Sequence, residues 1–383
     1  LAFTKMRWLV IFACMVVAHA EELVLAEECD AEKCKLPDCR CSGTDIPGGF
    51  KPHEIPQFVL LTFDDGVNIV NHGTYINLLS GRRNFNQCPV GATFFLSHEY
   101  TNYQLVNDLY ERGHEIALHS ISHVSQDYFR EADLETLLKE FADQRTLTAH
   151  FAAIPADAMQ GIRMPFLQMA GNVSFEMMQK TGFKYDSSMP TISLTNPGLW
   201  PYTLDFASTQ DCVIPPCPTA SFPGLWISPM IAWTDQMGFP CSMADACFSP
   251  PADDDEEGWF RFIVEQFERH YLGNRAPFGI YIHEGPVRTR SGLNAALVRF
   301  MDMINSINDI AMVTMSEMLE WVQNPVPLEE YLDQPCKLVI PGPRCRPSNC
   351  GPLSSPHSEI DYWLQSCAAC PRVYPWLGNP LGE

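Results

Sequence analysis

Two aspartates, Asp64 and Asp65, stand side by side in TFDDG (62–66), directly after an apolar run that begins at Phe58. Adjacent carboxylates repel, and neither is easily buried without a positive partner. A second group of ionisable residues is HSISH, which spaces His119 and His123 four residues apart. On a helical turn the two imidazoles share a face and can reach one ion. The zinc-protease pattern HExxH carries its general base inside the motif. Here Ser120 stands at that place, so a hydrolytic metal site on this pair needs its base, and a third ligand, from elsewhere. The aspartate pair supplies both. One carboxylate completes a His-His-Asp set and its neighbour takes a proton from water. Gly66 is expected to let the chain turn, so that neighbouring side chains converge where a straight strand would splay them.

Arg163, in GIRMPF (161–166), offers a fixed guanidinium that can hold a carboxylate ionised and oriented. A structural ion pair is its plainer use. His283 ends FGIYIH (278–283) and titrates in the range a general acid needs.

All of these residues follow strand-like runs. FVLLTF (58–63), ATFFL (92–96), EIALH (115–119), GIRMPF, LWISPMIAW (225–233), FGIYIH and IAMVT (310–314) alternate with helical spacing over 102–113, 132–151, 257–273 and 292–309. Such alternation predicts a parallel sheet, and at this length a barrel. In that architecture sites form at the carboxyl ends of strands. Four ends carrying groups of complementary type are hard to assign to chance.

Around this core the texture differs. Residues 1–20 join a basic start to a short apolar run and Ala18-His19-Ala20, the pattern of a secretory signal peptide. Removing them, with Lys5 and Arg7 and no acidic residue, takes the formal charge from −21 to −23. That charge argues against nucleic acid and anionic membranes as partners, and no segment reads as a membrane span. Fourteen cysteines remain after Cys14 departs, an even number that predicts disulfides in a secreted chain. Residues 21–56 read as a cysteine-rich lead-in, 57–324 as the main domain and 325–383 as a disulfide-tied extension. Asn172-Val173-Ser174 is a glycosylation sequon.

TFDDG, HSISH, RMPF (163–166), YDSSM (185–189) and IYIH (280–283) resemble, in order and approximate spacing, the motifs of the polysaccharide deacetylases of carbohydrate esterase family 4, with their NodB-type distorted (β/α) barrel. CKLPDCRCSGTDIPGG (34–49), WPYTLDF (200–206) and YPWLGNP (374–380) look more narrowly like insect chitin deacetylases, in their single-domain gut-associated subgroup. The resemblance implies zinc, or another divalent ion, on Asp65, His119 and His123, with Asp64 as general base and Arg163 orienting it. His283 would be the general acid, tuned by Asp186 or, second, by Asp205. Pro165 and Phe166 would frame the oxyanion site, chiefly through the Phe166 N–H. Trp200 and Trp226 are candidates for stacking on sugar rings, against core packing. The implied activity is N-deacetylation of chitin or its oligomers, by a monomer secreted to the gut lumen or peritrophic matrix. The residues after His283, Glu284-Gly285-Pro286, depart from many relatives. They leave room for a weakly active, chitin-binding relative or for another acetylated carbohydrate.

Overall fold

The computed structural model describes residues 23–355 and 357–383. The signal peptide expected at 1–20, with Cys14, lies outside them. Nine strands form the central sheet: β1 (Gln57–Asp64), β2 (Thr93–Leu96), β3 (Glu115–Leu118), β4 (Gly161–Ile162), β5 (Tyr185–Asp186), β6 (Tyr202–Leu204), β7 (Phe222–Ile227), β8 (Phe278–His283) and β9 (Ile310–Met312). Their order is β8-β1-β2-β3-β4-β5-β7-β6, with β9 also pairing β1. All pairings are parallel except β6 with β7. The sheet curls like a barrel wall and stays open, ending at the antiparallel β6–β7 pair.

Period-2 alternation in β1 sorts its side chains. Val59, Leu61 and Phe63 join the larger apolar cluster with the helices. Phe58 and Leu60 join a second cluster with Phe95, Tyr185 and Tyr281. Thr62 and Asp64 continue this second face, so Asp64 enters the concave interior, where it is largely buried. Parallel register sets Asp64 beside Phe95 on one side and His283 on the other.

All fourteen cysteines of the described residues are paired: Cys29–Cys41, Cys34–Cys39, Cys88–Cys336, Cys212–Cys217, Cys241–Cys247, Cys345–Cys367 and Cys350–Cys370. The front cluster thus makes disulfides, and Cys88 anchors the C-terminal extension. That extension contains a hairpin, β10 (Ser348–Ser355) and β11 (Ser358–Ser366), packed beside helix Tyr103–Glu111.

A buried histidine latches this extension to the sheet. His98 Nε2 donates to the Pro375 carbonyl at 2.9 Å, and Nδ1 accepts from the Tyr103 hydroxyl at 2.7 Å. Burial pushes its pKa down to about 3, with His357 adding to the shift and the Pro375 carbonyl opposing it. Because the folded pKa lies below the unfolded value, this stability is whole above about pH 6.5 and is lost as pH falls below it, by about 1.4 kcal/mol per unit. His98→Gln is therefore expected to flatten the pH dependence of the urea midpoint between about pH 6.5 and 4.5. A variant with the wild-type slope would show that His98 does not contribute.

Candidate metal and catalytic site

The carboxyl ends of β1, β3, β4 and β8 bring Asp64, Asp65, His119, His123, Arg163 and His283 together, as the strand-end reading expected. Asp65 Oδ1 lies 3.6 Å from His123 Nε2 and 3.9 Å from His119 Nε2. One ligand atom from each of the three residues fits within 4.8 Å. The turn that points Asp65 inward sits on Asp65 itself, at φ 80°. Gly66 has another reason: a Cβ there would meet Thr101 Oγ1 at 2.9 Å and the Glu99 carbonyl at 3.1 Å. HSISH is not the helical turn expected. It is a loop with Ser120 at φ 74° and His123 at φ 45°, strained positions for non-glycine residues. Glu140 holds that loop. Its buried carboxylate accepts from the N–H groups of Ile121 at 3.0 Å and Ser122 at 2.9 Å, and from the Ser122 hydroxyl.

His119 donates from Nδ1 to the Arg163 carbonyl at 2.8 Å, which leaves a lone pair on Nε2 facing Asp65. Burial lowers its proton affinity, more than Asp64 and Asp65 raise it. A neutral imidazole with a fixed tautomer is what a metal ligand requires.

Asp64 has a different environment. Arg163 Nη1 donates to its Oδ1 at 2.6 Å, with both side chains buried. Burial works to raise the Asp64 pKa. The Arg163 guanidinium, then His119 and His283, outweigh it and hold the carboxyl below its ordinary value. Arg163 is itself cradled. It donates to Thr62 Oγ1 at 2.9 Å, to the Ser187 carbonyl at 2.7 Å and to Ser187 Oγ at 3.1 Å, and lies 3.9 Å from the centre of the Phe95 ring. The two adjacent aspartates thus differ: one is neutralised by an arginine, and the other faces two histidines.

His283 Nε2 points to Asp65 Oδ2 at 3.9 Å, and Nδ1 bonds Asp245 Oδ2 at 2.9 Å. Burial works against its proton, but Asp245, then Asp64 and Asp65, raise the pKa to about 9. Asp245 was missed by sequence reasoning. It sits in a short turn inside the loop closed by Cys241–Cys247, and that cysteine pair six residues apart is the one local sign that this loop is held in place. Asp186 and Asp205, the residues expected beside His283, bond elsewhere. Asp186 accepts from the N–H of Ser188 at 2.9 Å and from its hydroxyl, and Ser188 Oγ in turn accepts from the Met164 N–H at 2.7 Å. Burial raises the Asp186 pKa to about 6. YDSSM therefore braces the Arg163 strand end. Asp205 accepts from the Gly224 N–H at 3.0 Å, tying the end of β6 to β7.

The Phe166 N–H makes no hydrogen bond among the described residues, its φ is 58°, and its ring lies 4.6 Å from that of His123. Pro165 is buried beneath it. Trp200 and Trp226 are both in the core, Trp200 against Trp321, so neither offers a face to a sugar. The Asn172 side chain is engaged with Thr219 and Ala220. Glu284 accepts from Thr74 and pairs with Arg288 at 3.2 Å, so its charge is compensated beside His283. A cavity of about 380 Å³ opens onto Asp64, Asp65, His123 and His283, rimmed by Glu99 and Tyr100.

Residues 52–185 match the family model for polysaccharide deacetylase. Over 380 residues the chain is 56% identical to chitin deacetylase 8 of Bombyx mori, covering 98% of this chain and 100% of that one. Over 378 residues it is 36% identical to chitin deacetylase 1 of Bombyx mori, covering 94% and 69%. The structure of peptidoglycan deacetylase PdaC from Bacillus subtilis is 16% identical, with a TM-score of 0.35, covering 72% of this chain and 94% of that one. Identity of this extent along the whole chain places it in the polysaccharide deacetylase family, among the insect chitin deacetylases, as a hydrolase of the deacetylase class.

Proposed function

We propose that the chain hydrolyses the N-acetyl groups of N-acetylglucosamine units in chitin or chitin oligomers, in a metal-dependent reaction that releases acetate and leaves glucosamine units. The observation that carries this reading is the division of labour between neighbours: Asp64 sits on Arg163, while Asp65 faces His119 and His123. Two imidazoles and one carboxylate, one imidazole with its tautomer fixed by a backbone carbonyl, are a donor set that suits zinc and leaves positions open. Bound there, the ion supplies Lewis acidity to the acetyl carbonyl and to water.

The rest falls to side chains. Asp64 Oδ1 is occupied by Arg163, which leaves Oδ2 to accept the proton of the attacking water. The Phe166 N–H donates to the carbonyl oxygen as it gains charge. His283, held at Nδ1 by Asp245, gives a proton from Nε2 to the departing amine as the C–N bond breaks. Asp186 and Pro165 keep the Arg163 strand end in place. Residues 57–324 would form the catalytic domain, with the cysteine-rich segments on either side as braces. A secreted monomer acting on a neutral matrix polymer, in the gut lumen or peritrophic matrix, suits the signal-like start, the seven disulfides and the acidic composition.

The direct test is acetate release from N-acetylglucosamine oligomers by purified protein supplied with zinc. Release in proportion to enzyme is expected. Protein that binds the oligomers and the metal yet releases no acetate would instead be a chitin-binding relative.

A further inference from the structure

A second cavity, of about 610 Å³, adjoins the catalytic one, and Asn68 and Tyr100 line both. One wall is the loop after β1, with Ile69 and Val70. The other is the C-terminal hairpin. In β11, alternation buries Tyr362 and Leu364 and turns Trp363 outward, 61% exposed. Tyr100 is 67% exposed and Ile69 81%. A contiguous apolar surface of this kind on a soluble domain marks a binding site.

The polar groups around it decide what binds. Asn349 and Gln365 lie opposite each other in the hairpin, and Asp361 shares their strand face. The side chains of these three make no hydrogen bond among the described residues. Asp361 alone among the lining residues carries a charge at neutral pH. Exposed aromatic faces interleaved with unpaired amides, nearly free of charge, match a hydroxyl-rich neutral ligand. A pyranose ring offers apolar C–H faces to an aromatic ring and a rim of hydroxyl and amide groups to such partners. An acidic peptide would find no counter-charge here, and a basic one only Asp361.

We propose that this groove holds the part of a β-linked amino-sugar chain that extends beyond the unit being deacetylated, with Trp363 and Tyr100 as its stacking platform. The C-terminal extension would then be part of the substrate site as well as a brace. The proposal rests on the deacetylase reading for its ligand class, and on the two cavities' shared wall for its continuity.

The test measures chain-length dependence and binding separately. For Trp363→Ala, the ratio of kcat/KM on the hexamer of N-acetylglucosamine to that on the dimer is expected to fall about tenfold, the scale of a lost aromatic anchor. Trp363→Phe should recover most of the ratio. Phe248→Ala, an exposed aromatic outside the groove, should leave it unchanged. In an Asp64→Asn background, hexamer affinity should fall about tenfold on adding Trp363→Ala. Unchanged ratio and affinity would overturn the proposal, including the case where Trp363→Ala alters only the sedimentation mass and the surface joins two copies. If no form releases acetate but the affinity loss is seen, the groove stands and the catalytic reading falls.

Discussion

Asp64→Asn is expected to lower kcat on N-acetylglucosamine oligomers by about 10²–10⁴-fold, the range that a positioned general base supplies, while uptake of divalent metal is kept. Asparagine has nearly the same shape and can still offer an oxygen to Arg163 Nη1, but it cannot take a proton from water. Arg163 would keep its bonds to Thr62, the Ser187 carbonyl and Ser187 Oγ, so the strand end should hold its geometry. The guanidinium does lose its counter-charge in a buried place. Breaking a buried pair outright costs about 3–5 kcal/mol, and the retained oxygen should keep the loss below that range. Metal content is the decisive second measurement, because His119 Nε2 lies 3.9 Å from an oxygen of each aspartate. Loss of the metal together with turnover would make Asp64 a ligand rather than a base. Turnover within about twofold of the wild type would remove it from the proton transfer altogether.

The parts of this site that were legible in the sequence are those set by local pattern. β1 is eight residues, buried throughout as its apolar run suggests, and its last residue is Asp64. His119, Arg163 and His283 likewise follow or end strands whose apolar runs are plain. What was not legible depends on distant chain. HSISH resembles a helical turn by spacing, yet Glu140, from a later helical segment, fixes it as a loop with two left-handed residues. Nothing near His123 announces this. Asp245 reaches His283 from a disulfide loop across 38 residues, and a carboxylate in a loop has no period to give it away. The C-terminal hairpin was hidden for another reason. Register shifts at Cys350, Leu353 and Ser355 break the two-residue alternation that reveals a strand. The open sheet follows from the stretch between β5 and β8. There, short strands and disulfide loops replace the strand–helix units that would have closed a barrel.

Removing the metal is expected to abolish acetate release, by about 10³-fold or more, since a Lewis acid of this kind contributes several kcal/mol to the transition state. The fold should survive. Asp65 and His119 stand at the ends of strands whose pairing needs no ion, His119 keeps its bond to the Arg163 carbonyl, and seven disulfides restrain the chain. Far-ultraviolet circular dichroism of chelated protein should therefore match that of loaded protein. Its melting temperature should be lower. An ion that binds only the native state stabilises it by about 2.7 kcal/mol at a hundredfold excess over Kd, and in its absence Asp64 and Asp65 are left with less positive charge between them. His123→Ala provides the genetic counterpart. His123 lies at the partly exposed edge of the site, where its side chain is 30% accessible, so its loss disturbs little else. This variant should bind metal at least tenfold more weakly, melt near the chelated wild type and gain little when metal is restored. Adding zinc to the chelated wild type should recover both turnover and the higher melting temperature. Turnover at the full rate by protein whose metal content is measured as nil would place the reaction on Asp64 and His283 alone, and would reduce Asp65, His119 and His123 to a polar wall of the cleft.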